Sequence, residues 1–181
     1  MNLRARPLSA LMATLLFLAL AGCGKSPEAH VKEAGTLLDR QDYKAAILEL
    51  KSALQEQPDN RAARLLLGKA YLANEAYADA EKELMRAREQ GASQDEVIPA
   101  LAKVYLSQNQ PQKVLDLALP SAVMSKVSLA AVQLVRAEAF LRLQKPAAAE
   151  QAILLAEQAD PKHPELLLLK AERGKPGIPV A

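Results

Sequence analysis

Residues 61–92 read RAARLLLGKAYLANEAYADAEKELMRAREQGA, and their spacing decides the fold. Leu67, Gly68 and Tyr71 fall on one face of a first helix. Tyr77, Ala80, Leu84 and Ala87 fall on one face of a second, and a tight turn joins the two. Apolar residues spaced by three and four give each helix one buried stripe. Gly68 and Ala80 are small enough to let two backbones approach, and they are expected to face each other. Tyr71, Tyr77 and Leu84 fill the space between turns.

The pattern recurs. Subtracting 34 from Tyr71, Tyr77, Ala80, Leu84 and Ala87 gives Leu37, Tyr43, Ala46, Leu50 and Ala53, with Pro58 closing that unit. Adding 34 to Leu67, Gly68 and Tyr71 gives Leu101, Ala102 and Tyr105. A further 35 from Tyr105 reaches Phe140, preceded by Ala137 and followed by Ala149, Ile153, Ala156 and Pro161. A fifth unit opens at Pro164 and stops after its first helix, Glu165 to Glu172. Small and large residues alternating at fixed offsets with a period of about 34 resemble the tetratricopeptide repeat (TPR). The resemblance implies an all-α, right-handed superhelical solenoid of about four and a half helix-turn-helix units. These are placed at about 27–60, 61–94, 95–129 and 130–163, with a half unit at 164–172 and a disordered tail at 173–181.

Ahead of the repeats, residues 1–22 read as a signal peptide. Arg4 and Arg6 form a positive n-region, and Leu8 to Leu20 is an apolar run of h-region length, too short for a comfortable membrane span. It ends in Leu20, Ala21, Gly22 and Cys23, which resembles the lipobox of bacterial lipoproteins. That resemblance implies that the Cys23 thiol carries a diacylglyceryl group, that cleavage falls before it, and that the new amino group is acylated. Gly24 after the cysteine implies sorting to the outer membrane, since retention at the inner membrane usually shows Asp there. An ordinary secretory leader with an incidental cysteine is the alternative. Cys23 is the sole cysteine, so no internal disulfide is possible. Residues 23–27 form a short lipidated tether, and the chain is expected at the periplasmic face of the outer membrane.

Charge and composition narrow the function. Removing residues 1–22 deletes Arg4 and Arg6 and no acid, leaving 21 basic residues (23 less two) against 21 acidic. A balanced chain without a basic cluster argues against nucleic acid, and 3% aromatic residues leave few platforms for base stacking. Glu81, Lys82, Glu83 and Arg86 read as a solvated helix face. The two histidines, His30 and His163, lie at opposite ends of the array. No HExxH, CxxC, GxSxG or phosphate-binding glycine loop occurs, so neither an enzyme, a metal site, a cofactor nor a small-molecule substrate is expected.

Local signals place the helices. Asp42 and Asn60 offer capping side chains, while Gly35 inside the first helix costs about 1 kcal/mol against Ala. Pro99 is acceptable only in the first turn of its helix, and Pro111 and Pro146 mark later starts. Pro120 to Val127 is the one irregular connection, and it carries the extra residue of the period. Leu166, Leu167, Leu168 and Leu169 surround the last helix with apolar side chains. That helix is either a lid on the fourth unit or the start of a longer array. Burial on more than one side favours the longer array.

The lipobox followed at once by repeats, with the AAILELKSALQEQPDNRAARLLLGKAYL and GASQDEVIPALAKVYL blocks, resembles the TPR lipoproteins of the PEP-CTERM/exosortase system (PrsT type). Membership implies a role in exopolysaccharide production and the sorting of PEP-CTERM proteins. An envelope assembly lipoprotein of the pilotin or outer-membrane-assembly type, or a structural spacer, are the competing readings. In TPR arrays the first helix of each unit lines a concave groove that takes a protein or peptide partner. The corresponding positions here are Leu65, Lys69, Leu72, Lys103, Leu106, Leu134, Glu138, Leu141 and Arg142. The leucines make an aliphatic floor edged by Lys69, Lys103 and Arg142, which suits an amphipathic helix or apolar peptide of some acidic character. Alternatively, Leu72, Leu106 and Leu141 pack against the adjacent unit.

Overall fold

A computed structural model describes residues 25–120 and 122–173. The leader, the lipobox Leu20 to Cys23 and the tail from residue 174 lie outside these. Among the described residues the chain forms nine α-helices and no strand. They are α1 (Pro27–Asp39), α2 (Tyr43–Glu56), α3 (Arg61–Ala73), α4 (Tyr77–Glu89), α5 (Gln94–Ser107), α6 (Pro111–Asp116), α7 (Lys126–Arg142), α8 (Pro146–Ala159) and α9 (Pro164–Arg173). Each odd-numbered helix up to α7 pairs with its successor, and α9 is the last helix among the described residues. The first helices also touch along the array, α1 with α3, α3 with α5, α5 with α7 and α7 with α9, forming a continuous inner layer.

The repeat is visible in the backbone itself. Gln41, Glu75, Asn109 and Gln144 all have φ between 56° and 61°, and they are spaced by 34, 34 and 35 residues. Each ends the first helix of a pair in the left-handed conformation that closes a helix C-terminus. The carbonyls of Leu37, Tyr71, Tyr105 and Phe140 each accept the N–H five residues on, at 2.8 to 2.9 Å. One turn geometry therefore serves all four pairs, although none of its four residues is glycine.

Caps and prolines set the remaining boundaries. Asp42 accepts the Ala45 N–H at 3.2 Å and Asn60 accepts that of Ala63 at 3.0 Å, each meeting one of the unpaired donors of a helix start. Pro99 lies in the second turn of α5, not the first, because the helix already begins at Gln94. Its missing N–H removes the bond to the Asp95 carbonyl. The third unit read as 95–129 ends inside α7, which starts at Lys126. Ser125 caps that helix by accepting the Ser128 N–H at 3.1 Å. Arg173 is the last residue of α9 and not part of a tail.

The core divides where the repeat does. Leu50, Leu67 and the alanines 34, 46, 53, 63 and 70 fill the first two units. Leu84, Val97, Ile98, Leu101, Val104 and Val132 belong to a larger cluster spanning the middle. Ala149, Ile153 and Leu166 close the C-terminal part. Because α6 has only 6 residues, α7 packs on α5 far more extensively than α5 packs on α3. Glu83 is not solvated: it is buried and bonded to Arg64 at 2.7 Å, so one member of the charged run on α4 points inward.

The two helical glycines have opposite surroundings. A Cβ on Gly68 would lie 2.6 Å from Leu84 Cγ and 3.2 Å from the Leu84 backbone nitrogen, so Leu84 is what Gly68 admits. The nearest atoms across the pair thus belong to Leu84, where the small Ala80 was expected. A Cβ on Gly35 would meet nothing within 4 Å. Gly35→Ala should therefore raise unfolding stability by about 0.5–1 kcal/mol, since it only restricts the unfolded chain and improves helix propensity. Gly68→Ala should lower it by roughly 1–3 kcal/mol through overpacking. Urea titration of both variants checks this, and a shift of the same sign in both would contradict it.

Candidate functional site

The inner layer of first helices carries two adjoining hollows. One, of about 420 Å³, is lined by Leu72 of α3, Lys103, Leu106 and Ser107 of α5, Leu134, Val135, Glu138 and Arg142 of α7, and Glu165 of α9. The other, of about 360 Å³, shares Leu72 and Lys103 and adds Lys69, Asp95, Glu96, Pro99 and Val127 among its walls. Leu72 and Lys103 thus form the ridge between two parts of one groove.

The structure sorts the residues expected there. Leu72, Lys103, Leu106, Leu134, Glu138 and Arg142 meet in the larger hollow, and Lys69 stands in the smaller. Leu65 does not contribute to this floor. It is only 6% exposed and belongs to the middle core, because the second and third units close over it. Leu141 is 52% exposed and lines neither hollow, since it lies one residue off the inward stripe of α7. Leu106, though it borders the groove, is itself 7% exposed and part of the core. The floor and the packing between units are the same side chains here, and Leu106 serves both.

The edge is charge-balanced. Lys69 Nζ meets Glu96 at 2.6 Å, Lys103 Nζ meets Glu165 at 3.1 Å, and Arg142 meets Glu138 at 2.7 Å. The cationic rim expected from sequence is therefore neutralised by carboxylates on the same layer. Arg142 also donates to the Leu106 carbonyl at 2.6 Å, placing a cation at the C-terminal end of α5 where the helix dipole favours it. Glu165 was missed from sequence, yet the register pointed to it. Lys103 is Lys69 plus 34, and Glu165 is Glu96 plus 69. The intervening position is Ala131, so Lys103 reaches past one unit to α9.

The irregular connection is anchored at the same groove. Asp95 Oδ1 accepts the Ser125 N–H at 2.5 Å, tying the start of α7 to the first turn of α5. Partial burial pushes the Asp95 carboxyl up, but the Ser125 N–H and the hydroxyls of Ser125 and Ser128 outweigh it and hold the group below its ordinary value of 3.8. No group of three His, Cys, Asp or Glu that could hold a metal ion occurs among the described residues. None of the described helices is long and apolar enough to cross a membrane.

Comparison with known proteins bears on the repeat. Residues 37–104 match the family model described as Tetratricopeptide repeat. No curated protein matches the chain. Among solved structures, one titled as YrrB, a TPR protein with an unusual peptide-binding site, is 16% identical, with a TM-score of 0.45. The likeness covers 79% of this chain and 91% of that one.

The Asp95 contact has a pH signature. A carboxyl held below its unfolded value stabilises the fold above that value and loses its contribution as pH falls through the folded one. Stability should therefore decline as pH falls from about 5 towards 3. Asp95→Asn keeps an oxygen acceptor for Ser125 and should flatten part of that slope. Thermal melts across this range check it, and an unchanged slope in Asp95→Asn would show that the contact carries no weight.

Proposed function

We propose that this chain, which carries tetratricopeptide repeats, is a scaffold that docks a protein or peptide partner in the groove of its first helices. The observation that carries the reading is the larger hollow. It joins apolar walls, Leu72, Leu106, Leu134 and Val135, to two ion pairs with no excess of either sign. A cavity of about 420 Å³ accepts one or two large apolar side chains, as an anchor from a helix or an extended segment would supply. The balanced edge favours a partner recognised by apolar burial, with polar groups setting orientation, over a strongly acidic one. Stacked helix pairs present such a surface as a consequence of their curvature.

The proposal extends to the setting. The Leu20-Ala21-Gly22-Cys23 sequence supports a lipid on Cys23 that holds the scaffold at the periplasmic face of the outer membrane. Stable anchoring generally needs more than one acyl chain, which the lipoprotein resemblance supplies. The AAILELKSALQEQPDN and GASQDEVIPALAKVYL blocks support an accessory role in exopolysaccharide production and PEP-CTERM protein sorting.

Peptides selected from a random library on the protein test the groove. Leu134→Asn with Glu138→Arg should weaken the selected peptides at least about tenfold, the loss of a central apolar anchor. Lys32→Ala, on the exposed side of α1, should leave them unchanged. Undiminished binding to the double variant, with far-UV circular dichroism intact, would place the partner elsewhere.

A further inference from the structure

The two hollows of the groove follow each other along α7 at a fixed interval. Val127, Ser128 and Ala131 line the smaller, and Leu134, Val135 and Glu138 line the larger. Each of the first three stands seven residues before one of the second three, a step of about 10 Å along a helix axis. On α5 the interval is the same: Pro99 borders the smaller hollow and Leu106 the larger, with Lys103 on the ridge between. α5 and α7 run the same way, because α6 reverses the chain between them. Residues seven apart fall on one face of a helix, and two such stripes side by side are what a third helix meets when it lies lengthwise between them. The stripe on α7 is open, since Val127 is 56% exposed and Ala131 and Leu134 are half-buried.

We propose, building on the groove as the docking site, that the partner segment is an amphipathic helix laid between α5 and α7, with two large apolar side chains seven residues apart, one in each hollow. An extended segment would expose a backbone donor and acceptor at every residue, and these need partners once covered. Side-chain amides, which both donate and accept, meet that need, and neither hollow has an asparagine or glutamine among its walls. The ion pairs Lys69–Glu96, Lys103–Glu165 and Arg142–Glu138 already engage the charged groups with one another. A helix satisfies its own backbone and brings only side chains to such a surface. Charge distinguishes its two ends. Lys103 pairs with Glu165 of the larger hollow, which leaves the smaller with Lys69 against Asp95 and Glu96, one carboxylate in excess. Pro99 also leaves the Asp95 carbonyl there without its helical donor. A Lys or Arg at the end of the partner helix beside the start of α5 complements both.

Two random peptide libraries of about 15 residues, a length marginal as a free helix, test it when selected on the protein. They are identical except that one fixes proline at its central position, which a continuous helix does not accept. Binders should come from the unrestricted library, carry large apolar residues seven apart with a Lys or Arg towards one end, and gain helical circular dichroism on binding. Deleting one residue between the two anchors turns one of them about 100° off the shared face and should weaken binding at least about tenfold. Ala131→Arg, which fills the smaller hollow from a half-buried position, should weaken the same peptides as much while leaving the helicity of the free protein unchanged. Peptides that are lost with Leu134→Asn and Glu138→Arg, yet come equally from the proline library, bind without gaining helix or tolerate Ala131→Arg, overturn the helical partner and leave the groove reading standing. Peptides indifferent to Leu134→Asn with Glu138→Arg overturn both.

Discussion

Each helix pair in this chain buries its apolar stripe only because the next pair covers it, and the closeness of that stacking depends on what stands opposite a few large side chains. Leu84 is the clearest case. It is fully buried, and the space it occupies exists because residue 68 has no Cβ. Along the array alanines do similar work: Ala46, Ala53, Ala63, Ala80, Ala87, Ala139 and Ala156 are all fully buried. A core built on alanine brings backbones near each other but supplies little apolar area per residue, so it is stable only as a continuous stack.

The same intra-unit position shows how such a stack tolerates variation. Arg64 and Glu83 form a buried ion pair in the second unit, to which Gln90 also contributes by accepting from Arg64 at 2.9 Å. Thirty-four residues earlier, the equivalent residues are His30 and Glu49, at 2.5 Å. The His30 hydrogen bond holds the Glu49 carboxyl below its ordinary value against the opposing effect of burial, with Lys25 assisting. In the third unit the same positions hold Ile98 and Leu117, both buried. An ion pair and an apolar pair are interchangeable here because desolvating charges offsets much of their attraction.

The shortness of α6 has consequences for the inner surface. With only 6 residues there, α7 moves into contact with α5, and Asp95 fastens the start of α7 by its Ser125 N–H. The larger hollow lies between these two helices, and Glu165 reaches back to it from α9. An interruption in the repeat thus coincides with the larger hollow of the groove.

The sequence by itself determined the helices, their pairing and their period, because these depend on local spacing: small residues at 46, 80 and 149, aromatic or leucine side chains at 37, 71, 105 and 140, and prolines at helix starts. The resemblance to TPR arrays, which puts first-helix positions on the inner surface, reached Leu72, Lys103, Leu134 and Arg142 of the larger hollow. The left-handed turns at Gln41, Glu75, Asn109 and Gln144 were not legible, because only Asn109 is a residue type that favours that conformation. Only the tertiary structure decided that Leu65 and Glu83 are buried, that Leu141 is outside the groove and that Lys103 pairs with Glu165. Helical periodicity fixes a side chain's direction around its own axis. Which neighbour lies in that direction depends on how far one unit is rotated on the next, and that rotation is set by packing, by the shortened α6 and by the single extra residue before α7.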